Sequence, residues 1–421
     1  MLTSGPRGTH DITPAEVKNW RRVEEAARAI CDLYHYGEIR TPIFEHTELF
    51  LRGIGETTDV VQKEMYTFTD RGGRSVTLRP ENTAAVVRSY LEQKLYADSQ
   101  AAKLFYIGPM FRYDRPQAGR LRQFHQFGIE AIGPAGPSVD AEIIALGVRF
   151  FESLGLNDLN LLINSVGCPK CRPQYRVVLQ EFLRDKKDDL CGNCQSRFDR
   201  NPMRILDCKE EKCNRLSAGA PQMIDCLCDE CAEHFAGLRQ YLDAVGISYT
   251  INPRLVRGLD YYTKTAFEIQ YPHLGAQSAV CGGGRYDGLI EECGGPSTPG
   301  IGFAIGLERV LLAMEKQELL DPVEDVMPVW VLPIGQMAFS SAFSLLNRLR
   351  QRGIPSDMDH GGRSLKSQMK QANRTQARYV VMIGEDEARE NQVTLKNMVT
   401  GEQTLMSADA AINQLKQEMN G

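Results

Sequence analysis

Residues Gly300-Ile301-Gly302-Phe303-Ala304-Ile305-Gly306 alternate strictly between a glycine or alanine and a large apolar side chain. A period of two reads as a strand, with Ile301, Phe303 and Ile305 on one face and Gly300, Gly302, Ala304 and Gly306 on the other. The first face demands a core to cover it. The second is almost bare backbone, which gives up packing and suits a flat ligand lying close to the sheet. The GxGxxxG spacing is not that of a dinucleotide fingerprint and no βαβ unit surrounds it, while the phosphate loop GxxxxGK[ST] is absent from the chain. Leu307-Glu308-Arg309 then opens a helix and leaves a guanidinium at the end of the bare strand, a position suited to phosphate. A tightly packed strand with Arg309 in solvent fits the same residues.

Two further segments carry chemistry. Residues 103–111 and Gln123–Ile132 read as strands around a polar loop, 113–122, that holds Arg115, Arg120 and Arg122 just after Arg112. Clustered guanidiniums offer planar, paired donors to an anion. On the second strand, alternation puts Phe124, Gln126, Gly128, Glu130 and Ile132 on one face, so an amide and a carboxylate flank a position with no side chain. That face is a polar pocket with room for a substrate group, or else an ordinary solvated face. In Arg254-Leu255-Val256-Arg257-Gly258-Leu259-Asp260-Tyr261-Tyr262 one tyrosine can pack while its neighbour offers a ring or hydroxyl to a ligand. A surface loop fits the same residues.

At 421 residues the chain exceeds one ordinary core, and two to three domains are expected. Thr13-Pro14-Ala15-Glu16 is a capping box that starts a helix with apolar positions Val17, Trp20, Val23, Ala27, Ile30, Cys31 and Tyr34. Gly37 ends it, and a short strand over 38–42 follows. Residues 65–78 form a hairpin that turns at Arg71-Gly72-Gly73-Arg74 and leads to Pro80-Glu81-Asn82-Thr83, after which helical spacing runs to about Leu95. Residues 266–270 and 278–281 are strand-like. After Asp321-Pro322 the pattern is βαβαβ, a separate small α/β domain. Within it, residues 348–378 hold eight Lys or Arg against two Asp, although the whole chain carries a net charge of -5. Any nucleic-acid surface must therefore be local; a solvated helical face would look the same. No apolar run approaches the roughly 18 residues of a membrane span, so the chain is expected in the cytoplasm, with no membrane partner.

Nine of the twelve cysteines fall between residues 165 and 234, which marks an insertion. Cys168-x₂-Cys171 and Cys191-x₂-Cys194, nineteen residues apart, have the spacing of paired zinc knuckles. Cys208, Cys213, Cys226, Cys228 and Cys231 add further donors, so the ligands, and the metal itself, stay open. Structural Zn2+ is one reading and buried thiols acting as small apolar groups are the other.

The segment from Gly108-Pro109-Met110-Phe111-Arg112 through Arg120 to Glu130 resembles motif 2 of the class II aminoacyl-tRNA synthetases. Residues 300–309 resemble motif 3, and the first helix with the strand ending at Pro42 resembles motif 1, the dimer-forming element. Arg257-Gly258-Leu259-Asp260-Tyr261-Tyr262 and Gly282-Gly283-Gly284-Arg285-Tyr286-Asp287 are similar to the two signatures of histidyl-tRNA synthetases. The resemblance implies an α+β fold: a class II catalytic domain on a mainly antiparallel sheet, plus a C-terminal α/β anticodon-binding domain. It divides the chain into 1–164 (catalytic, first part), 165–235 (cysteine-rich insertion, clamping the tRNA acceptor arm), 236–325 (catalytic, second part) and 326–421 (anticodon-binding).

The implied reaction joins L-histidine to histidine tRNA through a histidyl-adenylate, consuming ATP with Mg2+ and releasing AMP and diphosphate, in a homodimer. Carried onto matching positions, Arg112 and Arg257 would bind the α-phosphate and Arg309 the γ-phosphate, with Arg120 in the same ATP group and the adenine between Phe124 and the bare strand. Glu81, Thr83 and Gln126 would hold the α-ammonium. Glu130 with Tyr262 would read the imidazole, Tyr261 belonging to the same signature, and Gln117 would meet the acceptor end of the tRNA. A non-catalytic paralogue that senses histidine shares the catalytic fold; such paralogues lack parts of the signatures and the C-terminal domain, both of which this chain retains.

Overall fold

The computed structural model describes residues 3–420 apart from 56, 57, 59, 98–100, 276, 277 and 323–326. The chain divides into two compact units, Met1–Asp321 and Pro322–Gly421. The boundary expected between 325 and 326 lies outside the described residues.

The strands of the first unit are β1 Gly37–Glu38, β2 Phe44–His46, β3 Tyr66–Thr69, β4 Ser75–Leu78, β5 Ala102–Phe111, β6 Gln123–Ile132, β7 Asn160–Ser165, β8 Thr250–Ile251, β9 Thr263–Gln270, β10 Ala279–Arg285 and β11 Gly300–Gly306. Eight of them form one sheet in the order β1-β5-β6-β11-β10-β9-β7-β8. Only the edge pairs β1·β5 and β7·β8 are parallel; the centre is antiparallel throughout. The first strand stops at Glu38, short of the expected 38–42. Ile39 still donates to the Phe105 carbonyl at 2.8 Å, and beyond it the Arg79 guanidinium takes the carbonyls of Thr41 (3.0 Å) and Pro42 (3.3 Å). The expected hairpin at 65–78 is β3·β4, and β2 joins it to make a separate three-stranded sheet.

Alternation decides which face of the large sheet is covered. Phe127 and Ile129 of β6, Ile301, Phe303 and Ile305 of β11, and Phe267 and Ile269 of β9 all enter the main core. The helices Pro14–Leu33, Pro137–Ser153, Asp229–Ala244 and Leu307–Lys316 supply its other side through Trp20, Val23, Phe150, Leu238 and Val310. The capping box forms at the first of these helices, with the Thr13 N–H donating to the Glu16 carboxylate at 3.0 Å. The opposite face of the sheet keeps the polar and bare positions.

The cysteine-rich segment builds a small core of its own, in which Tyr175, Leu179, Leu183 and Phe198 pack among buried thiols. Its last helix, Asp229–Ala244, runs on through the junction expected at 235 and buries Phe235, Leu238 and Leu242 in the main core.

In the second unit β12 Val329–Pro333, β13 Ser356–Met358 and β14 Tyr379–Ile383 form the expected parallel core. An antiparallel hairpin, β15 Gln392–Asn397 and β16 Gln403–Ser407, extends it and the helix Ala408–Asn420 follows. Sequence reading missed this hairpin, since only Val393 and Leu395 of β15 are buried and β16 has no buried residue. Among the described residues no helix is long and apolar enough to cross a membrane.

Candidate active site

Register brings the functional strands together. Gln126 of β6 lies opposite Gly108 of β5 and Gly306 of β11, and Glu130 lies opposite Gly302. The bare positions are not all left for a ligand. A Cβ on Gly302 would overlap the Glu130 carboxylate, one on Gly300 the Tyr286 ring, and one on Gly128 the ring and hydroxyl of Tyr106. The space expected above Gly128 is therefore occupied by its cross-strand partner. Of the bare β11 face, Ala304 and Gly306 open onto a cavity.

That cavity, of about 890 Å³, is lined by Arg112, Arg120, Phe124, Gln126, Arg257 and Arg309. Each guanidinium is anchored on one side. Arg112 Nε donates to the Pro80 carbonyl at 2.7 Å, and its Cζ lies 5.5 Å from the centre of the Phe124 ring. Arg309 Nε donates to the Ala279 carbonyl at 2.6 Å. Arg120 pairs with Asp114. Arg257 Nη1 meets Glu268 at 2.8 Å, while its buried Nε has no hydrogen-bond partner among the described residues. Gly282 makes the Arg257 position available, because a Cβ there would overlap the guanidinium. Burial, then the like charge of Arg120, push the Arg309 guanidinium below its ordinary pKa. Two cations held within mutual repulsion are relieved by an anion.

A second, drier group lies behind the hairpin. Glu81 accepts the backbone N–H of Thr83 (2.7 Å) and Ala84 (3.0 Å), so its buried carboxylate caps the helix Thr83–Glu92. The Thr83 hydroxyl donates to Glu130 Oε1 at 2.7 Å and the Tyr286 hydroxyl to Oε2 at 2.6 Å. Burial pushes the Glu130 pKa up to about 8, against the pull of those two hydrogen bonds and with the help of the Glu81 charge. Burial likewise raises Glu81. Gln126 Oε1 is buried without a partner among the described residues. The Tyr261 and Tyr262 rings, both buried, lie 4.7 Å apart, and Tyr261 meets Tyr286 edge-on at 5.9 Å. Arg257 Cζ stands 5.7 Å from the Tyr262 ring, and these two residues share a smaller pocket of about 430 Å³ with Asp260, Arg172 and Arg204.

The predicted residues thus fall into two groups. Arg112, Arg120, Phe124, Gln126, Arg257 and Arg309 converge on the cavity. Glu81, Thr83, Glu130, Tyr261 and Tyr262 do not line it. Glu130 takes its hydrogen bonds from Thr83 and Tyr286. Tyr286 belongs to the second signature but has no role implied there, and no sequence signal points to Tyr106 or Glu268. Alternation along β10 cannot show that Tyr286, one residue past the strand end, reaches across Gly300.

Known proteins resemble this chain over its whole length. The family model for histidyl-tRNA synthetase matches residues 8–187 and 203–310, and the model for an anticodon binding domain matches 328–418. The chain is 56% identical to the histidine–tRNA ligase of Pelotomaculum thermopropionicum over 421 residues, covering 100% of this chain and 99% of the relative. It is 57% identical to that of Desulforamulus reducens over 407 residues, 97% of each chain. The crystal structure of apo histidyl-tRNA synthetase from S. aureus superposes with a TM-score of 0.83 at 44% identity, covering 99% of this chain and 100% of that one. Both signatures, both motif strands and the C-terminal unit are accounted for by one family, and the chain belongs to the histidyl-tRNA synthetases.

Proposed function

We propose that the chain ligates L-histidine to histidine tRNA at the expense of ATP. The observation that carries this reading is the convergence of Arg112, Arg257 and Arg309 on one cavity beside the buried Glu130 group. In the first step the histidine carboxylate attacks the α-phosphorus. A P–O bond forms to the carboxylate oxygen, the bond to the bridging oxygen breaks, and diphosphate leaves. Two anions must approach, so cations already fixed in place are the main requirement. Arg112 and Arg257 take the α-phosphate and Arg309, with Arg120, the outer phosphates. Their anchors on Pro80, Glu268 and Ala279 hold them in place before ATP arrives. The adenine lies between Phe124 and the bare end of β11 at Ala304 and Gly306. In the second step a ribose hydroxyl of the terminal adenosine attacks the acyl carbonyl and AMP departs.

Glu130, with Tyr286 and Thr83 as its present partners, accepts a ligand N–H; Gln126 and Glu81 take the α-ammonium, with Tyr261 and Tyr262 walling the imidazole. A buried polar site of this kind rejects amino acids that leave its groups unpaired. Among the described residues no three acidic side chains gather closely enough to hold a cation. Mg2+ would come with the ATP phosphates and neutralise part of their charge.

The second unit binds the anticodon arm. Lys366, Lys370 and Arg374 recur every fourth residue along the helix Leu365–Arg374, and all three are exposed. Two chains associate through the motif 1 region and its small sheet, where Leu33, Phe44 and Phe68 are 80%, 55% and 49% exposed. Transfer of labelled histidine to histidine tRNA tests the proposal: charging that needs ATP and selects histidine supports it, and a folded protein that charges none of the twenty amino acids would defeat it.

A further inference from the structure

The insertion brings eight of its nine cysteines into two separate groups of four, each with its sulfur atoms within 4.8 Å of one another. One group is Cys168, Cys171, Cys228 and Cys231. The other is Cys191, Cys194, Cys208 and Cys213. The two sequence pairs of the paired-knuckle spacing therefore do not share a centre: each closes on a more distant pair.

The spacing of the sulfurs is that of a mononuclear ion. Zinc binds thiolates at about 2.3 Å, and a tetrahedron with arms of that length has edges of about 3.8 Å. Cys168 and Cys171 lie 3.6 Å apart, Cys168 and Cys228 3.8 Å, and Cys191 and Cys208 3.8 Å. A four-iron cluster has no room between sulfurs this close. The backbone also treats the sulfurs as acceptors, with the Cys228 N–H directed at Cys171 Sγ (3.1 Å) and the Cys191 N–H at Cys213 Sγ (3.2 Å). Buried thiols serving merely as small apolar groups have no reason to sort into two fours at tetrahedral spacing.

Each group stands next to donors that hold the loop carrying Arg257 and Tyr262. Arg172, directly after Cys171, donates to the Tyr262 carbonyl. Between Cys194 and Cys208, Arg204 donates to the Arg257 carbonyl at 3.0 Å and Asn201 to Asp260 at 3.0 Å. We propose that the insertion holds two zinc ions, one in each tetracysteine group, and that the two centres fix Arg172 and Arg204 against the 257–262 loop, so that metal binding orders a wall of the active site. The metal count stands independently of the reaction at that site.

Native mass spectrometry and elemental analysis of the full chain, purified under reducing conditions, should find two zinc ions per chain. Cys171→Ser combined with Cys228→Ser should leave one ion, because both changes strike the same centre; Cys171→Ser combined with Cys194→Ser should leave none. A folded wild-type protein with fewer than one zinc per two chains and all twelve thiols free to react would overturn the proposal, as would the visible absorption of an iron tetrathiolate. Hydrogen exchange reads the second part: on stripping the ions with a chelator, amides of residues 257–262 should exchange at least tenfold faster and recover when zinc is restored. The variant Arg204→Ala should retain both ions yet lose part of that protection. Exchange unchanged by stripping would overturn the ordering role.

Discussion

A methyl group added at Gly282 would stand where the Arg257 guanidinium now lies, and one at Gly302 would stand on the Glu130 carboxylate. These glycines act through the side chains they admit. Gly282→Ala should displace Arg257 while leaving the fold intact, and a displacement near 1 Å at a phosphate ligand lowers turnover by on the order of 100-fold; steady-state ATP–diphosphate exchange measures it. Glu130 gives a prediction in pH. Its pKa of about 8 in the folded chain lies above that of an unfolded glutamate, about 4.3. Between these two values the folded state keeps a proton that the unfolded state has lost, so this group's contribution to stability falls as pH rises through that window. Glu130→Gln removes the titration, and its melting temperature should decline less between pH 5 and pH 8 than that of the unaltered chain. Alternation along β6 was enough to find Gln126 and Glu130 on one face. It could not reveal Tyr106 above Gly128 or Tyr286 above Gly300, because what fills a bare position depends on the neighbouring strand and its register.

Between elements, one buried pair ties together much of the first unit. Arg285 at the end of β10 and Asp140 of the helix Pro137–Ser153 are both fully buried and meet at 2.5 Å. Asp140 also accepts from His234 of the helix Asp229–Ala244 at 2.8 Å and from Thr265 of β9 at 2.5 Å. Arg285 further reaches the Pro134 carbonyl and Asp287. The charges and hydrogen bonds of Asp140's partners hold its pKa low against burial. Removing one member of such a pair strands the other, at a cost of about 3–5 kcal/mol. Arg285→Leu should lower stability by that amount in denaturant titrations. Nothing in the sequence announced the pair, since its members are 145 positions apart. The elements themselves were readable where a periodic apolar face was long, as in Pro14–Leu33 and β11; a strand as short as Gly37–Glu38 was found with the wrong bounds, and one as polar as β16 was missed.

At the scale of the whole molecule, the two units have separate hydrophobic cores. On the proposed function, amino-acid activation uses residues of the first unit alone, so a chain ending at Asp321 should still activate histidine. It should lose charging at low tRNA concentration, where the exposed Lys366, Lys370 and Arg374 no longer contribute, and a titration of tRNA in the charging assay reads the difference. The place of the insertion and the second unit could be read from composition and periodicity, and the class of the sheet from the resemblance to class II synthetases, whereas the pairing of distant cysteines required the folded chain. The reading that joins all three scales is that Arg112, Arg257 and Arg309 meet ATP at one cavity beside a histidine pocket. Histidine-dependent exchange of labelled diphosphate into ATP tests it most directly. The folded protein should exchange only when histidine is present, and Arg257→Ala should lower exchange far more than it weakens histidine binding. Exchange that is absent from the folded protein, or indifferent to histidine or to the loss of Arg257, would contradict it.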